Sequence, residues 1–239
     1  MTYPRVIAHR CGGALGPENT LAGLRLAARL GCRGVEFDTM LAADGVAVVI
    51  HDETLERTTS GHGRVADTNS AQLARLDAGG RHHPAFAAEP LPTLDQALSL
   101  CAELGLWANV EIKPSAGQEA ETGRVVARHC AAANGVLLLS SFSTGALSAA
   151  GAEAPQLARA LLVEAIPVDW RDRLADAGAR ALHASACALT GEALQAVRAG
   201  GISLACYTVN RRDDAESLLA RGVCAVFTDR PDLWLPEEM

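Results

Sequence analysis

Seven side chains suited to acid–base, cationic or metal-ligating work fall in four short stretches of this 239-residue sequence. His9 and Arg10 close "VIAHR", Glu36 and Asp38 alternate in "VEFDTM", His51 ends "VVIH", and Glu111 and Lys113 alternate in "NVEIKP". In extended chain, residues two apart point to the same face, so Glu36 and Asp38 share one face, as do Glu111 and Lys113. An unpaired buried charge is expensive, and like charges on one face are worse. Three carboxylates set against the two fixed cations Arg10 and Lys113 leave one unpaired. A single divalent cation resolves the imbalance, and an all-oxygen ligand set favours Mg²⁺ or Ca²⁺ over Zn²⁺. Two histidines with ordinary pKa near 6.5 suit the uptake and delivery of protons.

The elements that must gather these residues follow from the alternation of short apolar runs with amphipathic segments. The expected strands are Arg5–His9, Gly34–Asp38, Trp107–Ile112, Val136–Ser140, Ala158–Val163, Ala181–His183, Ile202–Thr208 and Cys224–Thr228. Between them lie helical patterns such as "NTLAGLRLAARLG" (Asn19–Gly31), "TLDQALSLCAELG" (Thr93–Gly105) and "TGEALQAVRAGG" (Thr190–Gly201), opened by Thr or Asn and stopped by Gly. Eight strands alternating with helices over this length predict an α/β fold of the (β/α)8 TIM-barrel type. The C-terminal strand ends of such a barrel form one face, which is where His9, Arg10, Glu111 and Lys113 fall.

One segment breaks the rhythm: roughly 65 residues, Thr39–Leu106, separate the second and third expected strands, far beyond an ordinary crossover. It opens with Asp44-Gly45 between two extended runs, a strong hairpin signal. A two-residue turn there sets Ala43 opposite Val46 and Asp38 opposite His51, with Cβ atoms roughly 5 Å apart. The second strand is thus expected to overshoot the rim and return His51 to the level of the carboxylates.

Composition narrows the class. The chain is 49% hydrophobic and 21% charged, which is ordinary globular composition. A formal net charge of −7 argues against nucleic-acid or acidic-membrane partners. The start "MTYPRVIAHR" carries no apolar leader, and no apolar run approaches the roughly 18 residues of a membrane span. The seven cysteines form no C-x-x-C pair and read as reduced thiols. The expectation is a cytoplasmic protein, monomeric or homodimeric, in one domain over residues 1–239.

Beyond the spacing, "AHRCGGALGPENTLAG", "GVEFDTMLAADGVAVVIHDETLERTT", "PTLDQAL", "NVEIK", "SSFS", "YTVN" and "VFTDRP" occur in order from about residue 5 to 232. These motifs resemble the glycerophosphodiester phosphodiesterases of bacterial, cytosolic type. The resemblance implies a phospholipase-C-like phosphodiesterase barrel with a family insertion, about residues 53–91, between the second and third barrel strands. It implies metal-dependent hydrolysis of small glycerophosphodiesters to sn-glycerol 3-phosphate and an alcohol. Its acid–base histidines match His9 and His51, with His9 expected as base and His51 as acid. Its metal ligands match Glu36, Asp38 and Glu111, and its phosphate-contacting cations match Arg10 and Lys113. Cys11 stands where the family usually has Gly, and Tyr207 where Trp is common. The nucleophile implied is the neighbouring glycerol hydroxyl, by way of a cyclic phosphate, with direct attack by water as the other route.

Plainer roles are weighed beside these. Glu18 in "PENT" serves either as a first-turn carboxylate on a helix dipole or as a support behind the first loop. Phe142 and Tyr207 are rim or core aromatics, or an apolar wall beside the glycerol, and Asn210 orients polar groups at a strand end. His62, His82, His83, His129 and His183 are read as surface or packing residues. Cys11, Gly13 and Gly16 have dinucleotide-loop spacing, yet Cys occupies the tight-turn position, and an NAD-dependent oxidoreductase leaves His51, Glu111 and Lys113 unexplained. A non-catalytic barrel binding phosphorylated ligands, and a lysophospholipase-D-like enzyme, remain as rivals. The latter calls for an exposed apolar loop, for which the insertion offers Phe86 and alanines.

Overall fold

The aliphatic runs become strands in the order expected. In this computed structural model, which describes residues 2–234, the barrel strands are β1 (Val6–Ala8), β2 (Gly34–Leu41), β4 (Trp107–Ile112), β5 (Leu137–Ser141), β6 (Ala158–Val163), β7 (Ala181–Ser185), β8 (Ser203–Tyr207) and β9 (Ala225–Thr228). Each pairs in parallel with its neighbour, and β1 bonds both β9 and β2, so the sheet closes. The helices are α1 (Leu21–Arg29), α3 (Leu94–Leu104), α4 (Glu119–Ala132), α5 (Thr144–Glu153), α6 (Trp170–Ala177), α7 (Gly191–Ala199) and α8 (Arg212–Ala220), together with the single turn α2 (Ser70–Leu73). Thr20, Thr93, Ser143 and Thr190 cap α1, α3, α5 and α7 by accepting a first-turn backbone N–H. Trp107–Ile112 and Ala158–Val163 match the expected bounds at both ends, and the other six strands differ by one to three residues at an end, where pairing rather than side-chain type decides the limit.

The two faces of each strand have different tasks. Outward residues such as Val35, Phe37, Val110 and Leu182 join the helices in one large apolar cluster. Inward, a layer of small side chains (Ala160, Ala181, Ala205, Ala225) leaves room for Tyr3 and Trp107 to fill the barrel from its N-terminal end. Above that layer the inward positions turn polar: Glu36 and Asp38 on β2 face Asn109 and Glu111 on β4 in register. The alternation that hides Phe37 outside the barrel therefore points both carboxylates in.

β2 overshoots the rim and folds back as β3 (Ala47–Val49), antiparallel. The register differs by one from the expected one. Thr39 pairs with Val49 and Leu41 with Ala47, and the Ile50 N–H donates to the Asp38 carbonyl at 3.0 Å. Ala42 and Val46 close a three-residue loop whose last member, Gly45, takes a left-handed φ of 77°, the three-residue form that competes with the two-residue turn. His51 therefore does not face Asp38 across the ladder but lies one residue past it, leaving the strand toward the mouth. From there the excursion builds its own small core of Leu55, Val65, Leu73, Ala78 and Leu91 against Met40, Val48 and Ile50. No described helix is long and apolar enough to cross a membrane. All seven cysteines are unpaired.

Candidate active site

All seven residues singled out for chemistry line one cavity of about 250 Å³ at the C-terminal mouth, with Asn109, Phe142, Leu162, His183, Tyr207, Thr208 and Phe227 completing its walls. A larger hollow of about 660 Å³ at the opposite end, beside Tyr3 and Trp107, holds none of them. Glu36, Asp38 and Glu111 are buried, and one carboxylate oxygen from each lies within 4.8 Å of the others. Burial, then the Asp38 charge, pushes Glu36 up to about 7. The same two causes hold Glu111 well above the usual carboxylate range. Arg10 and Lys113 offset this only in part: Arg10 Nε is 4.0 Å from Asp38, and Lys113 Nζ is 3.7 Å from both Asp38 and Glu111.

The donor set fits a hard divalent cation. Glu36 Oε1 is buried with no hydrogen-bond partner, although buried polar atoms are almost always satisfied. Its other oxygen accepts the Arg10 backbone N–H at 2.8 Å. That contact needs the first loop to turn back on itself, and Arg10 and Cys11 do so with φ of 49° and 75°. Cys11 thus adopts the left-handed conformation that glycine takes most easily, fully buried beside α1. The glycines of this loop serve packing: a Cβ on Gly13 would meet the Asp229 carbonyl oxygen at 2.5 Å. The dinucleotide-like spacing therefore has a local cause.

Each histidine is backed by a carboxylate. His9 Nδ1 lies 2.7 Å from Asp229 Oδ1, and its Nε2 faces Glu36 at 3.8 Å. Burial lowers the His9 pKa, but the Asp229 hydrogen bond and the Glu36 and Asp229 charges outweigh it, and the net shift is upward. His51 Nδ1 lies 2.6 Å from Asp52 Oδ1, and its Nε2 meets Lys113 Nζ at 3.0 Å. For His51 burial prevails, helped by Arg10 and Lys113, and the net shift is downward despite the Asp38 charge and the Asp52 bond.

The supporting residues were only partly legible. Glu18 accepts from Arg10 at 3.2 Å and from both terminal nitrogens of Arg57 at 2.7 and 2.8 Å. Arg57 also donates to Asp52, so one guanidinium ties the first loop to the excursion. Asn210 lies outside the cavity lining and grips Asp229, donating to Oδ2 at 2.9 Å and accepting its backbone N–H at 2.8 Å. Tyr207 donates to the Val163 carbonyl at 2.9 Å and meets Phe142 edge-on at 6.1 Å. Sequence reasoning passed over Asn19, whose amide both donates to Asp38 Oδ2 at 2.8 Å and accepts the Asp38 N–H at 3.1 Å. It also passed over Asp52, Asp229 and Asn109. The usable signals were Asp52 directly after His51, and Asp229 directly after the strand that pairs with β1.

Fold and site together define a (β/α)8-barrel hydrolase of the phosphodiesterase type. The profile of the glycerophosphoryl diester phosphodiesterase family matches residues 9–233. A glycerophosphodiester phosphodiesterase of Caldanaerobacter subterraneus is 33% identical over 95% of this chain and 94% of its own. An Oleispira antarctica phosphodiesterase, solved with the product sn-glycerol-3-phosphate, superposes with a TM-score of 0.93 at 37% identity, covering 96% of this chain and 94% of that one. A glycerophosphodiester phosphodiesterase from Agrobacterium tumefaciens gives a TM-score of 0.75 at 26% identity, with 98% of both chains covered. The chain belongs to the glycerophosphoryl diester phosphodiesterase family and is an enzyme of that activity.

Proposed function

We propose that this enzyme hydrolyses small deacylated phospholipids to sn-glycerol 3-phosphate and the free alcohol, using one divalent cation and the His9–His51 pair. The observation that carries the reading is the meeting of three buried carboxylates, two cations and two carboxylate-backed imidazoles in one cavity. Glu36, Asp38 and Glu111 are the residues that hold the cation, Mg²⁺ or Ca²⁺ by ligand type. When bound, it supplies Lewis-acid stabilisation of the charge on the phosphoryl oxygens.

Arg10 Nε is buried without a partner, and it donates to a phosphoryl oxygen. Lys113 turns to the same group, releasing the His51 Nε2 lone pair that it meets at 3.0 Å. An ammonium can be met only by a lone pair, so His51 is neutral with its proton on Nδ1, held by Asp52. A neutral imidazole with Nε2 free accepts the proton of the attacking hydroxyl, whether of the glycerol or of water. His9 lies between two carboxylates, which favours imidazolium, and donates to the leaving alcohol. This reverses the order expected from sequence, for the reason that Lys113 contacts one histidine and Glu36 the other.

Phe86 is half-buried and packs edge-on against His82 at 5.7 Å, which supports soluble diesters over lipid substrates. Seven unpaired thiols support a reducing compartment such as the cytoplasm. The test is product analysis with purified protein on glycerophosphocholine, glycerophosphoethanolamine and lysophosphatidylcholine. The reading expects glycerol 3-phosphate from the first two. Release of phosphocholine instead, or preference for the lysolipid, contradicts it.

A further inference from the structure

Orphaned polar atoms concentrate in the walls of the catalytic cavity. Among the described residues, seven buried side-chain N or O atoms lack a hydrogen-bond partner, and four belong to residues lining this one space: Arg10, Glu36, Asn109 and His183. Arg10 and Glu36 face the charged chemistry already described. Asn109 and His183 are neutral and have no part in it, yet leaving a buried polar atom unpaired costs roughly 1–3 kcal/mol.

His183 points inward from β7, fully buried, between the Tyr3 and Phe227 rings, at centroid distances of 5.8 and 5.0 Å. The Tyr3 hydroxyl lies 3.1 Å from His183 Nε2, and no other partner of that hydroxyl is found among the described residues. Tyr3 therefore donates to Nε2, which places the single imidazole proton on Nδ1, the orphaned atom. Burial pushes the His183 pKa down to about 3, so the ring stays neutral. Asn109 is oriented from the other side: its Nδ2 donates to Ser140 Oγ at 2.9 Å, leaving Oδ1 as an orphaned acceptor. The cavity wall thus presents one unused neutral donor and one unused neutral acceptor. A hydroxyl group both donates and accepts, whereas a phosphate only accepts and is better served by Arg10 and Lys113.

We propose that His183 Nδ1 and Asn109 Oδ1 recognise the terminal hydroxyl of the substrate's glycerol, making His183 a specificity-determining residue held in its donor tautomer by Tyr3. The terminal hydroxyl is the one assigned because the hydroxyl next to the phosphate ester belongs to the reacting centre. The inference rests on the glycerophosphodiester reading above.

The test compares kcat/KM on glycerophosphocholine with that on 2-hydroxypropyl phosphocholine, which keeps the hydroxyl beside the phosphate and lacks the terminal one. Wild-type enzyme should prefer the glycerol substrate by about 10-fold or more, the scale of one or two buried hydrogen bonds. His183→Gln, whose amide reaches the Nε2 position, and His183→Leu should bring the ratio close to 1, chiefly through KM for glycerophosphocholine. His183→Asn, whose amide sits where Nδ1 was, should retain most of the preference, and this rescue separates a donor from a core-filling ring. Should His183→Leu fail to fold, the Gln and Asn pair still decides. A wild-type preference left unchanged by His183→Gln overturns the inference and leaves the activity assignment intact. A wild-type enzyme that hydrolyses neither diester overturns both.

Discussion

His9 and Asp229 stand 220 positions apart in sequence and 2.7 Å apart in the fold, one at the end of the first barrel strand and the other just past the last. Closure of the sheet between β1 and β9 is what brings them together. The same contact fixes the tautomer of His9, aims its Nε2 into the cavity and raises its proton affinity. Asn210 in turn orients Asp229, which gives the "YTVN" and "VFTDRP" motifs a shared task at a distance from the substrate.

Replacing Asp229 with Asn should therefore act through His9. On the proposed order of proton transfer, the pH profile of kcat requires His51 unprotonated and His9 protonated, so its acid limb follows His51, shifted down, and its alkaline limb follows His9, shifted up. Asp229→Asn removes an anion that favours the imidazolium, so the alkaline limb should move to lower pH. The maximal rate should fall about 10- to 100-fold, the scale of positioned acid–base catalysis. A rate loss with an unmoved alkaline limb would assign Asp229 a purely structural part.

Much of this site could be read from residue order because barrel strands place alternate residues on one face and their C-terminal ends at one rim. Glu36, Asp38, Glu111 and Lys113 obey that rule directly. His51 was placed by a hairpin whose loop proved one residue longer: Gly45 takes the left-handed backbone that either loop uses, but Asp44 does not, and a two-residue type I′ turn requires it at both positions. Asp229 and Asn19 escaped for a different reason. Their partners are set by barrel closure and by the fold-back of the first loop, neither of which leaves a periodic trace. His183 looks like core filling in sequence, and it takes the neighbouring Tyr3 to show which of its nitrogens is free.

Asn19 supports Asp38 through two hydrogen bonds from a backbone with φ of 57°. Asn19→Gly keeps that backbone accessible while deleting both bonds. Metal affinity should weaken about 10- to 100-fold, as for other losses of support behind a metal ligand. Calorimetric titration of chelator-treated protein with Ca²⁺ or Mg²⁺ reads the effect. Unchanged affinity would mean that Asp38 needs no such support.

The carboxylate cluster also makes a prediction about stability. In cation-free protein the folded-state pKa of Glu36 is raised from 4.5 to about 7. A carboxyl group raised on folding favours the native state below its unfolded value, and that contribution is lost as pH rises through the folded value. Cation-free protein should therefore lose thermal stability between pH 4.5 and about 7, and Glu36→Gln should flatten the loss. Saturating dication should restore Tm most at the upper end of that window. A Tm in chelator that is flat across the window in both proteins would contradict the repulsion argued for this cluster.

On the proposed mechanism, Glu36, Asp38 and Glu111 hold a catalytic dication between two proton-transferring histidines. The most direct measurement is release of glycerol 3-phosphate from glycerophosphocholine by chelator-treated enzyme, before and after Mg²⁺ or Ca²⁺ is restored, alongside Glu111→Gln and His9→Ala. Turnover should be absent without metal and recover with it. Glu111→Gln should lose both metal binding and turnover, while His9→Ala should bind metal normally and lose about 10²- to 10⁴-fold in rate. Full turnover in chelator, or wild-type kcat in His9→Ala, would contradict this mechanism.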